Sequence, residues 1–176
     1  MSGSTTSPTT ACAATNLYIL NNRVIAGSNV GSGGGYYGIA FNGVSSTVLN
    51  DSIFVNGNEV SNFYYYGIRY AYVKNGELNN NNIHRSAKTA VATSAYGIYA
   101  YYCTGIKVVG NKIHDFAIPG VFYNGTFYGM YNYHYNNTAA TPILVANNIV
   151  YNMGTYQGIQ YFTYTYGPYI NFYHNT

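Results

Sequence analysis

The sequence predicts an all-β solenoid of about five coils, each roughly 30 residues long, and three observations carry that prediction. The first is a triplet that recurs as Tyr37-Gly38-Ile39, Tyr66-Gly67-Ile68, Tyr96-Gly97-Ile98, Tyr128-Gly129-Met130 and Gln157-Gly158-Ile159. A fixed period of this length is the mark of a repeat architecture. The second is an Asn-x-(Ile/Val) element between the triplets, in copies beginning at Asn58, Asn81, Asn111 and Asn147, with an earlier copy at Asn22. The third is composition: 24 tyrosines, 20 glycines and only 6% charged residues, against roughly 25% in an average soluble domain. Tyrosine and β-branched residues favour strands, while Gly and Asn favour turns with positive φ. Few stretches supply the Ala, Leu, Glu and Lys that a helix needs.

Taken in order, Met1 to Thr15 is a Ser/Thr-rich lead-in, expected to be flexible, with neither the basic start nor the apolar segment of a signal peptide. Residues 16–176 form the solenoid domain. Asn22-Arg23-Val24 has no triplet before it, so residues 16–25 read as the tail of a coil. Gly31 to Gly35 reads as a Gly/Ser loop that bulges outward. Coils then begin near Tyr36, Tyr65, Ala95, Phe127 and Tyr156, and insertions at Ser86–Ser94 and Asn136–Thr141 absorb the differences in length. The last coil stops at His174-Asn175-Thr176, and neither end shows the polar cap that solenoids use. The expectation is therefore continuity with further coils in a longer chain.

Alternation assigns the faces. Ile39, Ile68, Ile98, Met130 and Ile159 occupy one register and should stack into the interior. Counting on by one places Ala40, Arg69, Tyr99, Tyr131 and Gln160 outside; two further, Asn42, Ala71, Tyr101, Tyr133 and Phe162 face outward as well. Asn58, Asn81, Asn111 and Asn147 fit a turn in which side-chain amides hydrogen-bond from coil to coil.

A unit of this length with Gly-Ile starts and the turn Gly110-Asn111-Lys112-Ile113 resembles the right-handed parallel β-helix family. Its members include pectate lyases, polygalacturonases, phage tailspikes and large secreted or surface bacterial proteins. The resemblance covers residues 16–176 and implies a right-handed parallel β-helix, secreted or at the cell surface. It is unspecific for activity, because one fold hosts many chemistries. Other repeats fit worse: the chain has too few leucines for a leucine-rich repeat and no Trp for a WD propeller.

The family's lyases hold Ca²⁺ in clustered carboxylates beside a basic proton abstractor, and its glycosidases bring two or three aspartates together. Here Asp51, Glu59, Glu77 and Asp115 fall at different registers, so no catalytic residue carries over and no cofactor is expected. His84 and His114 share a register, as do Arg85 and Asp115, about 4.8 Å apart on adjacent coils. They read either as an acid/base site or, more simply, as an outward polar ladder with an Arg85–Asp115 bridge worth roughly 0–1 kcal/mol. As a metal site the two histidines lack a third ligand.

The outward aromatics are the better candidate. Tyr99, Tyr101, Tyr131 and Tyr133 form a two-by-two patch flanked by Arg69, Gln160 and Phe162, and flat rings with polar tips suit sugars. The competing explanation is that stacked tyrosines only stabilise adjacent strands, by roughly 0.2–1 kcal/mol per pair. The net charge of +3 is too scattered for nucleic acid, and no apolar run is long enough to span a membrane. Cys12 and Cys103 carry no evidence of a disulfide, Cys103 reading as a small strand residue. Glycosylation sequons at Asn50, Asn124 and Asn136 are expected by chance in a chain this rich in Asn, Ser and Thr. The reading is a non-catalytic extracellular domain whose partner is a polysaccharide or cell-surface glycan. The alternatives are a fragment of a polysaccharide lyase or glycoside hydrolase with its active site in further coils, and an adhesin stalk or spacer. An ice-binding face lacks the Thr-x-Thr columns it would need.

Overall fold

The structure, a computed structural model, describes residues 13–27, 35–88, 94–116, 125–153 and 160–176. Its strands are β1 (Thr15–Leu20), β2 (Arg23–Ile25), β3 (Tyr37–Asn42), β4 (Asn50–Asn56), β5 (Glu59–Ser61), β6 (Tyr66–Ala71), β7 (Val73–Lys74), β8 (Glu77–Asn79) and β9 (Asn82–His84). There follow β10 (Ser94–Tyr101), β11 (Lys107–Val109), β12 (Lys112–His114), β13 (Thr126–Tyr133), β14 (Ile143–Ala146), β15 (Ile149–Tyr151), β16 (Gln160–Tyr166) and β17 (Ile170–Tyr173). No helix occurs among the described residues.

The chain visits three parallel sheets in rotation. One is β1-β4-β8-β11-β14-β17, with β7 also on β4; the second is β2-β5-β9-β12-β15; the third is β3-β6-β10-β13-β16. Strands pair in register with their counterparts one repeat away, an arrangement compatible with a parallel β-helix. Short strands follow from the turns that interrupt them. Asn21, Gly57, Asn80, Gly110, Asn147 and His174 occupy equivalent places and all have positive φ, between 47° and 69°. Gly and Asn tolerate that conformation best. A Cβ at Gly57 or Gly110 would also meet the side-chain Oδ1 of Asn21 or Asn80 in the preceding coil, which would have to turn aside.

The residue after each of these bends is the rung of an asparagine ladder. Asn58 Oδ1 accepts from the backbone N of Asn22, Asn81 Oδ1 from Asn58, Asn111 Oδ1 from Asn81, Asn148 Oδ1 from Asn111 and Asn175 Oδ1 from Asn148, all at 2.9–3.0 Å. Each amide nitrogen also donates to a carbonyl one coil away, such as Asn111 Nδ2 to Leu78 O at 2.7 Å. The ladder is the expected one with a correction at its fourth copy. Asn147 is the bend and Asn148 the rung, so Ile149 is exposed and Val150 faces the core. Four consecutive residues, Asn147 to Val150, repeat the pattern of Gly110 to Ile113 shifted by one from the expected assignment.

The interior is aliphatic. Ile39, Ile68, Ile98 and Met130 stack as expected, faced by Val60, Ile83, Ile113 and Val150 from the second sheet and by Val55, Leu78, Val108 and Val145 from the first. Phe63 and Phe116 fill a corner with rings 5.7 Å apart. Tyr70 is also buried, its hydroxyl donating to Ile53 O. Cys103 is buried, its thiol donating to Tyr70 O at 3.1 Å, while Cys12, residues 31–34 of the expected Gly31–Gly35 loop, most of the expected 86–94 insertion and Asn124 lie outside the described residues.

Two further expectations change. The last coil is shifted: Thr163 pairs with Met130, Tyr164 with Tyr131 and Tyr166 with Tyr133, while Gln160 pairs with Phe127. The triplet Gln157-Gly158-Ile159 that set the expected register lies outside the described residues, as does the coil start at Tyr156. Ala71, expected outside, is fully buried, since a methyl at the register of Tyr101 does not reach past its larger neighbours.

Candidate functional site

The sheet β3-β6-β10-β13-β16 presents three columns of side chains outward. Tyr37, Tyr66, Tyr96, Tyr128 and Tyr161 form the first, successive rings lying 4.7–5.3 Å apart and within 18° of parallel. The second runs Ala40, Arg69, Tyr99, Tyr131, Tyr164. Its rings are 5.0 Å apart between Tyr99 and Tyr131 and 4.8 Å between Tyr131 and Tyr164. The third ends in Tyr101, Tyr133 and Tyr166, at 5.4 and 5.0 Å. Rings in the first two columns meet edge to face, at 82° between Tyr96 and Tyr99 and 89° between Tyr128 and Tyr131. Both geometries are those that aromatic quadrupoles favour.

The expected patch of Tyr99, Tyr101, Tyr131 and Tyr133 is therefore assembled, with Arg69 beside it. Arg69 stands opposite Tyr99 in register, its guanidinium 5.7–5.9 Å from the ring centres of Tyr37, Tyr66 and Tyr99. All four acidic residues sit elsewhere: Asp51 and Glu77 on the first sheet, Glu59 on the second and Asp115 just after β12. Arg69 is thus a cation among tyrosines on a sheet without a carboxylate. Gln160 and Phe162 do not flank the patch. The shifted register puts Gln160 beside Phe127 and Phe162 against Gly129, where it packs partly on the core.

The first column escaped alternation counting for a structural reason. Along β10 and β13 the burial pattern slips phase at the glycine, so that Gly97 and Ile98, or Gly129 and Met130, both face inward. Strict alternation from Ile98 would turn Tyr96 inward; the slip turns it out. The signal available in the sequence was the triplet's own first residue, tyrosine in four of its copies. Burial and neighbouring phenols push the Tyr66 pKa up to about 12 and raise those of Tyr99 and Tyr131. These hydroxyls stay protonated at neutral pH, each able to donate and accept one bond.

The second candidate lies on the β2-β5-β9-β12-β15 sheet. His84 and His114 stack 5.2 Å apart, and His114 stacks on Tyr151 at 5.0 Å. His114 Nδ1 donates to Asp115 Oδ2 at 2.8 Å and its Nε2 meets Asn82 Oδ1 at 2.8 Å. His84 Nδ1 bonds Ser86 Oγ at 2.8 Å, while its Nε2 lies 3.5 Å from Glu59 Oε1. All four ring nitrogens face protein partners. Asn82, Ser86 and Glu59 were not foreseen here.

Arg85 does not belong to this cluster. It shares a register with Asp115, whose carbonyl accepts from its backbone N at 3.1 Å, but Asp115 has a φ of 51° and swings outward. Arg85 lacks that bend and turns inward. It is fully buried, donating from Nε to Phe63 O at 2.9 Å and from Nη1 to Phe116 O at 3.2 Å, with Phe63 and Phe127 rings against it. The expected Arg85–Asp115 bridge is replaced by Asp115 with His114 and Asn152. Among the described residues no group of three His, Cys, Asp or Glu side chains could hold a metal ion.

Burial opposes ionisation of Asp115, but hydrogen bonds from His114 and Asn152 outweigh it and hold its pKa below the ordinary 3.8. A carboxylate with a depressed folded pKa contributes stability above its unfolded pKa and loses it as pH falls through the folded value. Asp115→Asn, whose side chain tolerates the same positive φ, is expected to flatten the acid limb of a melting-temperature titration. An unchanged acid limb would show that this carboxylate is not coupled to folding.

No protein-family profile matches the chain, and neither a curated protein nor a solved structure matches it. No helix among the described residues is long and apolar enough to cross a membrane.

Proposed function

We propose that the chain is a non-catalytic, secreted or cell-surface domain, a pectate-lyase-like right-handed parallel β-helix of about five coils, that recognises polysaccharide through its tyrosine sheet. The observation that carries this reading is the pair of columns Tyr99–Tyr131–Tyr164 and Tyr101–Tyr133–Tyr166 beside Arg69. Offset stacking shares ring faces between rungs, so the surface offers ring edges and a grid of hydroxyls repeating about every 4.8 Å. A regular comb of neutral donors and acceptors with apolar ground between them suits an extended, hydroxyl-rich chain. An exposed aromatic area of this extent ordinarily marks an interaction site.

The test is a glycan array and polysaccharide pull-down with two quadruple variants of Tyr99, Tyr101, Tyr131 and Tyr133. Changing all four to Ala is expected to abolish binding while circular dichroism is retained. Changing all four to Phe keeps the stacks and removes the hydroxyls, and is expected to weaken binding strongly. Binding unaffected by the Ala set would reject the tyrosine sheet as the site. The stacking also favours a second reading, a structural stalk or spacer in which each ring pair merely strengthens adjacent strands. That reading predicts a folded wild-type chain that binds no glycan.

A further inference from the structure

One corner of the tyrosine sheet carries a chemistry that glycan recognition does not use. Tyr133 and Tyr135 have hydroxyl oxygens 2.7 Å apart and rings 5.1 Å apart at 81°. Tyr166, one coil on and in register with Tyr133, has its ring 5.2 Å from that of Tyr135, tilted by 66°. Tyr135 and Tyr166 are 43% and 46% exposed. Parallel rings in the columns meet face over face, whereas this tilted pair meets edge toward face, with the two hydroxyls within hydrogen-bond reach of each other. Tyr135 follows β13 on a connecting segment outside any strand, so it can adjust without breaking a strand ladder.

Among the described residues, the sulfur side chains that would divert an oxidant are out of reach. Cys103 and Met130 are fully buried and Met153 nearly so, and the chain has no Trp. Thiol and thioether oxidation follows exposure, so among the described residues the exposed oxidisable groups are phenols.

We propose that Tyr135 and Tyr166 form a site of oxidative cross-linking, coupled to each other by a one-electron oxidant of the haem-peroxidase class acting with hydrogen peroxide. Each phenol loses one electron to the oxidant and one proton, which leaves along the neighbouring hydroxyls to water. The two phenoxyl radicals join through ring carbons ortho to the oxygens, forming one carbon–carbon bond. The hydrogens on those carbons move to the phenoxyl oxygens as aromaticity returns. The balance is two phenols and one peroxide giving one biphenol and two waters. The product is a covalent staple between consecutive coils, independent of whether the sheet binds glycan.

The experiment treats the purified chain with a haem peroxidase and hydrogen peroxide, isolates monomer, and maps peptides by mass spectrometry. The expected product is one linked peptide pair containing Tyr135 and Tyr166 and lacking two hydrogens. Tyr135→Phe and Tyr166→Phe, which keep the rings, should each eliminate it. Tyr169→Phe, removing a tyrosine that is 55% exposed, should leave its yield unchanged. The proposal is overturned if wild-type monomer carries links scattered over other tyrosine pairs or none at all. Survival of the linked pair in Tyr135→Phe would overturn it equally.

Discussion

Asn111→Ala is expected to lower the unfolding free energy by about 3 kcal/mol or more, from roughly 1–3 kcal/mol for each buried polar group stranded. Asn111 is 1% exposed and sits mid-ladder. Its Oδ1 accepts from both the backbone N and the Nδ2 of Asn81, at 3.0 and 2.9 Å. Its Nδ2 donates to Leu78 O at 2.7 Å and Asn148 Oδ1 at 2.9 Å. Truncation therefore strands groups in the coils on both sides. The measurement is urea unfolding, with the midpoint falling at constant slope. Asn111→Asp retains the acceptor but not the donors and turns a carboxylate toward Leu78 O, so it should destabilise at least as much at neutral pH. Asn147→Gly is the contrasting variant. Asn147 is the bend residue, at the place Gly57 and Gly110 occupy in other coils, and its replacement should stay within about 0.5 kcal/mol of wild type. Equal losses at 111 and 147 would refute the assignment of rung and bend.

That contrast also shows what the sequence could and could not convey. Period, sheet-forming composition and the inward Ile column are properties of local pattern, and they were readable because every coil repeats them. The ladder was readable as chemistry, but Asn147 and Asn148 are the same residue type, and only backbone φ tells bend from rung. The array at Tyr96 and Tyr128 was hidden by the phase slip at the glycine, which strict alternation has no means to represent. Arg85 was misplaced for a related reason: register fixes which residues are neighbours, but the sign of φ at Asp115 decides which side of the wall a side chain takes. Gln160 and Phe162 were misplaced because one triplet, Gln157-Gly158-Ile159, was aligned by its Gly-Ile alone. The tyrosines at 161, 164 and 166, spaced as at 128, 131 and 133, were the better guide to the last coil.

Gly97→Ala should cost about 3 kcal/mol, at or beyond the upper end of the usual overpacking range. The backbone here does not have positive φ, so the cost arises from contact rather than conformation. A Cβ at Gly97 would lie 2.5 Å from Ile113 Cγ2, 2.6 Å from Gly129 O and 3.2 Å from Phe116 Cζ. Ile113 can rotate a methyl away, but Gly129 O belongs to the next strand and moves only if β10 and β13 separate. The same carbonyl contact recurs at Gly38, Gly67 and Gly129, each at 2.5 or 2.6 Å from the strand one coil on. This is the physical reason the triplet keeps its glycine while its other positions vary. Ile113→Ala in the same chain removes the side-chain clash and leaves the carbonyl, so it should not rescue Gly97→Ala. Gly105→Ala provides the complementary case: its nearest neighbour is 3.2 Å away but its φ is 61°, so it should cost about 1–2 kcal/mol through backbone strain alone. Because β10 carries Tyr96, Tyr99 and Tyr101, any separation from β13 opens all three columns between adjacent rungs. Glycan binding by Gly97→Ala should then fall even where the variant remains folded, whereas Gly105→Ala should bind as wild type. Full stability of Gly97→Ala in urea would mean that the close approach of the strands at the triplet is not what the glycine is there to permit.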